Sequence, residues 1–82
     1  MIITSGFNVY PREVEIVLNL HPDVAESKVI GKPDLMRGEI VKALVVKKEG
    51  ASADEKAILK HCRTYLSSYK IPREIEFVDR SS

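Results

Sequence analysis

Apolar residues recur along this chain in two rhythms. Val14, Val17 and Leu18 fall at i, i+3 and i+4, which puts them on one stripe of a helix. Pro11 suits the first turn of that helix, where its missing N–H costs nothing, and Glu13 and Glu15 lie near its positive end. Pro22 bounds it, so the pattern predicts a helix over about 11–20. Ile58, Leu59, Cys62 and Leu66 form a second stripe. Ser52 and Glu55 before it have the spacing of a capping box, so this helix is predicted over about 53–66. Ser67-Ser68 loosens it and Pro72 forbids its continuation.

The other rhythm is that of strands. Ile2-Ile3-Thr4, a turn at Ser5-Gly6, and Asn8-Val9-Tyr10 read as a short hairpin, with Gly6 suited to positive φ. Val24 to Ile30 reads as a strand ended by Gly31-Lys32-Pro33-Asp34, and Leu35 to Gly38 as a loop. Ile40 to Val46 is rich in β-branched residues, and Ala43-Leu44-Val45-Val46 is continuously apolar, as in a strand covered on both faces. Glu49-Gly50 closes it. Ile75 and Phe77 alternate with Glu74 and Glu76, the pattern of a half-buried final strand. The order is hairpin, helix, strand, strand, helix, strand. The fold class is therefore α+β: a small antiparallel or mixed sheet of about three strands plus the N-terminal hairpin, packed with two or more helices. Strands begin almost at Met1, and the chain stops soon after Phe77-Val78 at Arg80-Ser81-Ser82, so residues 1–82 read as one domain cut from a longer protein.

Composition narrows the function. A chain of 82 residues has room for one small core. Thirteen Lys plus Arg stand against 12 Asp plus Glu, a net charge of +1, which lacks the basic excess of a dedicated nucleic-acid binder. No apolar run approaches the length that crosses a bilayer. Met1-Ile2-Ile3 runs directly into a turn and is no signal peptide. The single cysteine, Cys62, has no internal partner, which points to a reducing, cytoplasmic setting.

Candidate chemistry is sparse. His61 and Cys62 are adjacent on a helix, so their side chains diverge by about 100° and make a poor nucleophile–base or metal pair. Cys62 falls on the apolar stripe and reads as a buried, inert thiol. His21 precedes Pro22 at a helix end, where a protonated ring complements the dipole. No Cys/His spacing fits a metal. Glu13, Glu15, Glu74 and Glu76 read as solvated faces or dipole partners. Ser5-Gly6-Phe7-Asn8 reads as a turn with exposed backbone. Arg37 in a loop, Arg63 on the second helix and Lys70 in the following turn are each ordinary surface charges alone; together they can bind a phosphate-bearing ligand.

Four stretches taken together, residues 2–15 (IITSGFNVYPREVE), 21–26 (HPDVAE), 38–46 (GEIVKALVV) and 69–78 (YKIPREIEFV), resemble the C-terminal domain of acyl-adenylate-forming enzymes. That superfamily holds acyl-CoA synthetases, luciferases and the adenylation domains of peptide synthetases. The Ser-Gly-Phe-Asn-Val-Tyr-Pro form is most similar to bacterial medium- or long-chain fatty acyl-CoA ligases. The resemblance implies a two-step reaction, from carboxylate and ATP to acyl-adenylate and pyrophosphate, then from acyl-adenylate and CoA to thioester and AMP, with Mg2+ expected in the parent enzyme. It also implies a large N-terminal domain as partner, on which this domain rotates as a lid between the steps.

By position, Ser5, Gly6 and Phe7 match the loop lining the pantetheine tunnel. Asn8 matches a polar position that contacts the nucleotide. Arg37 and Arg63 match basic positions that meet the CoA nucleotide and its phosphates. Lys70 has no counterpart role. The resemblance implies that the family's hinge residue precedes Met1 and that its adenylation lysine, in a Gly-Lys motif, follows Ser82. The chain then carries the thioester-step face and no catalytic residue, and alone is expected to be inactive and to hold no ligand firmly.

Two other readings stand beside this one. A peptide-synthetase lid would serve a carrier protein instead of CoA, and a carrier domain downstream would reveal it. A stand-alone ferredoxin-like binding module, such as an RNA-binding domain, would need stacking aromatics on its central strands, and Ile40 to Lys48 has none.

Overall fold

The computed structural model describes residues 1–79. Arg80-Ser81-Ser82, after which the resemblance implies a Gly-Lys motif, lie outside the described residues. Strands β1 (Ile2–Thr4) and β2 (Phe7–Val9) form the expected hairpin, with Ile2 opposite Val9 and Thr4 opposite Phe7. Ser5 and Gly6 between them have φ of 50° and 82°. Positive φ at both central residues is the signature of a type I′ turn, whose twist matches that of the strands. Ile2, Thr4 and Val9 are buried from one face of the hairpin, while Ile3 and Asn8 are exposed on the other.

Helix α1 (Pro11–Asn19) buries Val14, Val17 and Leu18, the stripe read from the sequence. Strands β3 (Val24–Asp34) and β4 (Gly38–Lys47) form a long antiparallel ribbon in register from Asp34–Gly38 to Val24–Lys47, with an irregularity between Val24 and Glu26. Helix α2 (Glu55–Tyr65), a 3-10 turn (Ser68–Lys70) and strand β5 (Glu74–Phe77) complete the order. All five strands join one sheet, β2-β1-β4-β3, with β5 parallel to β4 through Lys42–Glu74 and Ala43–Ile75. The sheet is mixed and the class is α+β.

Three local readings change. First, β3 continues through Gly31, Lys32 and Pro33 to Asp34. β3 is an edge strand, where a proline can sit with its missing N–H facing away from the ladder. Second, Ser52 does not cap α2. The helix starts later, and the Asp54 side chain accepts from the Ala57 N–H at 2.9 Å. The Ala53 N–H is held by the Asp23 carboxylate at 3.1 Å, so the chain turns helical only beyond it. Third, β4 is covered on one face. Val41, Ala43 and Val45 share a core with Leu18 of α1 and with Ile58 and Cys62 of α2. On the opposite face Lys42, Leu44 and Val46 are half-buried, and Lys42 pairs with Glu76 at 3.0 Å and Glu74 at 4.0 Å.

Side-chain bonds close the seams. Glu15 of α1 accepts from the Val29 N–H of β3 at 2.9 Å, and Glu39 of β4 accepts from the Ile3 N–H of β1 at 3.0 Å. Both carboxylates satisfy strand N–H groups.

Candidate functional site

The β1–β2 turn stands at the mouth of an open groove of about 500 Å³. Ser5 and Phe7 of the hairpin line it, with Arg63 from the last turn of α2, Tyr69 and Arg73 from the segment after it, and Val41, Leu59 and Ile71. The Phe7 ring, half exposed, stacks on Tyr69 with centroids 4.6 Å apart and planes 22° apart. Arg73 is held by its N–H to the Val41 carbonyl at 2.9 Å. A Cβ built on Gly6 would meet nothing within 4 Å. The turn therefore offers bare backbone to open space beside a groove lined in part by Arg63 and Arg73. Two such cations suit phosphate or carboxylate oxygens.

The structure sorts the residues named from the sequence. Ser5, Phe7 and Arg63 converge on the groove, with Gly6 at its edge. Arg37 does not line it. Its carbonyl accepts from the Ser5 N–H at 2.9 Å, and its guanidinium lies 3.8 Å from Asp34. Asp34 also accepts from the N–H groups of Met36 and Arg37, at 3.1 and 2.8 Å, which braces the β3–β4 turn. Asn8 lies on the opposite face of the hairpin from Phe7. Tyr69 and Arg73 were missed as site residues, although both stand in the familiar 69–78 stretch. Their signal was an aromatic and a cation on either side of Ile71-Pro72; the 3-10 turn brings Tyr69 onto Phe7, and the bond to the Val41 carbonyl holds Arg73 at the groove.

The remaining candidates are structural. Lys70 lies 2.8 Å from Glu13 Oε1, and its ammonium is 5.6 Å from the centre of the Tyr69 ring. The hydrogen bond to Glu13 is the main cause that holds the Lys70 ammonium above its usual range. Cys62 is fully buried, and burial pushes its thiol up to about 11. Both histidine rings serve as ties between segments. His21 Nδ1 accepts from the Asp23 N–H at 3.0 Å. His61 Nε2 donates to the Val17 carbonyl at 2.7 Å, joining α2 to α1. A second cleft, about 580 Å³, lies near the end of β4, where Lys47 sits over the Phe77 ring at 4.6 Å. It contains none of the candidates named from the sequence. Among the described residues no three His, Cys, Asp or Glu side chains cluster to hold a metal, and no helix is long and apolar enough to cross a membrane.

Relatives include a long-chain-fatty-acid–CoA ligase of Yersinia pestis, 53% identical over 79 residues, or 96% of this chain and 14% of that protein. A CoA ligase of Mycobacterium tuberculosis that acts on a methyl-dioxo-octahydroindenyl propanoyl group is 46% identical, over 96% of this chain and 16% of that protein. Among solved structures, a Mycobacterium tuberculosis fatty acyl CoA synthetase superposes with a TM-score of 0.91 at 43% identity, covering 96% of this chain and 16% of that one. ATP-bound MatB from Rhodopseudomonas palustris gives 0.91 at 45% identity, covering 94% and 15%. This chain thus spans about one-sixth or less of the length of these relatives. Residues 13–82 match the family described as the AMP-binding enzyme C-terminal domain. With that match, the identities above and the same fold, the chain belongs to the AMP-binding enzyme C-terminal domain family.

Proposed function

We propose that this chain is the mobile C-terminal domain of an ATP-dependent, AMP-forming fatty acyl-CoA ligase in the cytoplasm, and that it supplies the face used in thioester formation. In this reading the large N-terminal domain binds the acid and ATP, with Mg2+ accompanying the nucleotide there. The first step joins the carboxylate to the α-phosphate and releases pyrophosphate. In the second, the CoA thiol loses its proton and attacks the acyl carbonyl, and AMP leaves as the C–O bond to phosphate oxygen breaks.

The observation that carries the reading is the Ser5-Gly6 turn, bare of side chain above Gly6 and placed at the mouth of a groove lined in part by Arg63 and Arg73. Pantetheine is long and thin and needs close approach to backbone. The CoA phosphates need guanidinium partners. Ser5, Gly6 and Phe7 form the wall of the thiol's path, and Arg63 meets the nucleotide end. Arg37 supports Ser5 through its carbonyl, and its guanidinium, beside Asp34, meets the CoA nucleotide. Asn8, on the other face of the hairpin, contacts the adenylate nucleotide held by the large domain.

The test is Gly6→Leu in the full-length enzyme, with Gly6→Asn as a companion that tolerates positive φ. Acid-dependent ATP–pyrophosphate exchange should stay near normal in both. Thioester formation should fall by orders of magnitude in Gly6→Leu and by less in Gly6→Asn. Equal loss of both half-reactions in folded enzyme, or loss of neither, would overturn the reading.

A further inference from the structure

Leu35 and Met36, at the tip of the β3–β4 hairpin, are the most exposed large apolar side chains among the described residues, at 105% and 88% of full exposure. Two consecutive solvated apolar side chains on a loose loop would be unremarkable. This tip is braced. Asp34 takes the N–H groups of both Met36 and Arg37, Gly38 turns the chain at φ 83°, and the Arg37 carbonyl holds the Ser5 N–H. One hydrogen bond therefore links the apolar tip to the turn at the groove's mouth.

We infer that Leu35 and Met36 are a docking knob that seats in an apolar recess of the parent enzyme's large domain during thioester formation, and that this seating sets the position of the Ser5-Gly6 turn. The inference rests on the proposed function. The occupant follows from three observations. About five-sixths of the relatives' length lies outside the matched segment, and in the proposed parent enzyme that length supplies a large linked surface. The tip is bonded to the turn at the groove's mouth, through the Arg37 carbonyl and the Ser5 N–H. Its surroundings are electrically neutral: residues 32–39 carry two cations, Lys32 and Arg37, and two anions, Asp34 and Glu39. Lys32 is engaged with Glu74 at 2.9 Å and Arg37 with Asp34. An anionic lipid surface would call for a basic collar, and this tip has none.

The experiment uses the full-length enzyme with Leu35→Ser and Met36→Ser combined, and the conservative pair Leu35→Met and Met36→Leu. Both side chains are solvated here, so the unfolding temperature should not move. ATP–pyrophosphate exchange should stay within about twofold. Conversion of preformed acyl-adenylate should lose about tenfold or more in kcat/KM for the thiol, the scale set by exposing apolar side chains that dock. The loss should be equal with CoA and with pantetheine, because the knob touches protein and no part of the nucleotide. The conservative pair should restore the rate. Unchanged thioester formation, or a loss seen with CoA and absent with pantetheine, would overturn the inference. So would unchanged half-reactions with lost sedimentation on phosphatidylglycerol vesicles, which would make the tip a lipid contact. A Gly6→Leu enzyme that separates the half-reactions while the serine pair does not would sink this inference alone. A Gly6→Leu enzyme that fails to separate them would sink the proposed function beneath it.

Discussion

The Lys70 ammonium lies 2.8 Å from Glu13 Oε1, tying the 3-10 turn that carries Tyr69 to the first turn of the helix that follows Phe7. The pair raises the lysine above its ordinary 10.5. A cation raised on folding adds stability that is fully present below 10.5 and lost as pH climbs through the folded value. The difference in unfolding temperature between the native chain and Lys70→Met should therefore be constant from pH 7 to 9 and shrink only above about 10.5. A difference that already shrank between pH 7 and 9 would contradict it.

Arg63 and Arg73 line one groove but leave from different elements, so their effects should be separable. In the full-length enzyme Arg63→Ala should raise KM for CoA about tenfold, as loss of a charge-assisted contact does, with ATP–pyrophosphate exchange intact. Steady-state kinetics with CoA and with pantetheine would show it. The defect should largely disappear with pantetheine, which lacks the nucleotide.

The stacked rings should couple. Phe7→Ala and Tyr69→Ala each remove one partner of a contact worth about 0.5–1.5 kcal/mol beyond its area. A double-mutant cycle on stability should return a coupling of that size. A value near zero would mean that the stack contributes packing area and nothing more.

Gly31 is where close approach matters most. A Cβ there would lie 2.5 Å from Glu39 Oε2 and 3.2 Å from Ile2 Cγ1. The Glu39 carboxylate can swing away, but it then releases the Ile3 N–H. Gly31→Ala should cost about 1–2 kcal/mol, the loss of one hydrogen bond plus local crowding. Chemical denaturation would measure it, and Gly31→Ala combined with Glu39→Ala should cost less than the two changes added.

Cys62 makes a built-in reporter of opening. It has no solvent exposure, and its thiol is pushed from 9.0 to about 11. Iodoacetamide should modify it only as fast as the domain unfolds between pH 7 and 9. Stability should decline as pH rises from about 9 toward 11, because the unfolded thiol ionises there and the buried one does not. Fast labelling of the folded chain at pH 7 would contradict its burial.

Where local chemistry decides, the sequence was readable. Pro11 and the Val14-Val17-Leu18 spacing located α1, and Ser5-Gly6 located the hairpin turn. Where two distant segments compete for one group, it was not. Ser52 and Glu55 had the right spacing for a cap, but Asp23, thirty residues earlier, holds the Ala53 N–H and leaves capping to Asp54. Pro33 looked like a stop because its place on an edge strand depends on which strand lies beside it. The candidate site divides the same way. Ser5 and Phe7 are legible in the 2–15 stretch and Arg63 as a cation on the second helix, while Tyr69 and Arg73 join them through tertiary contacts that no local pattern encodes.

The lattice of charges on the outer face of the sheet has a kinetic consequence. β5 is four residues long, and it reaches β4 only after the chain has passed through α2. Slipping it by one residue would turn Ile75 out of the core. Slipping it by two would keep Ile75 inward but put Glu74 beside Leu44, where Glu76 now stands, so Lys42 would keep one carboxylate and Lys32 would lose Glu74. Burial alone rejects the first error, and the loss of the Lys32–Glu74 bond and of one Lys42 partner rejects the second. Salt should therefore slow the final annealing of β5 more than it weakens the finished fold, because the ions screen the group that discriminates between alignments and leave the core that rewards the correct one untouched.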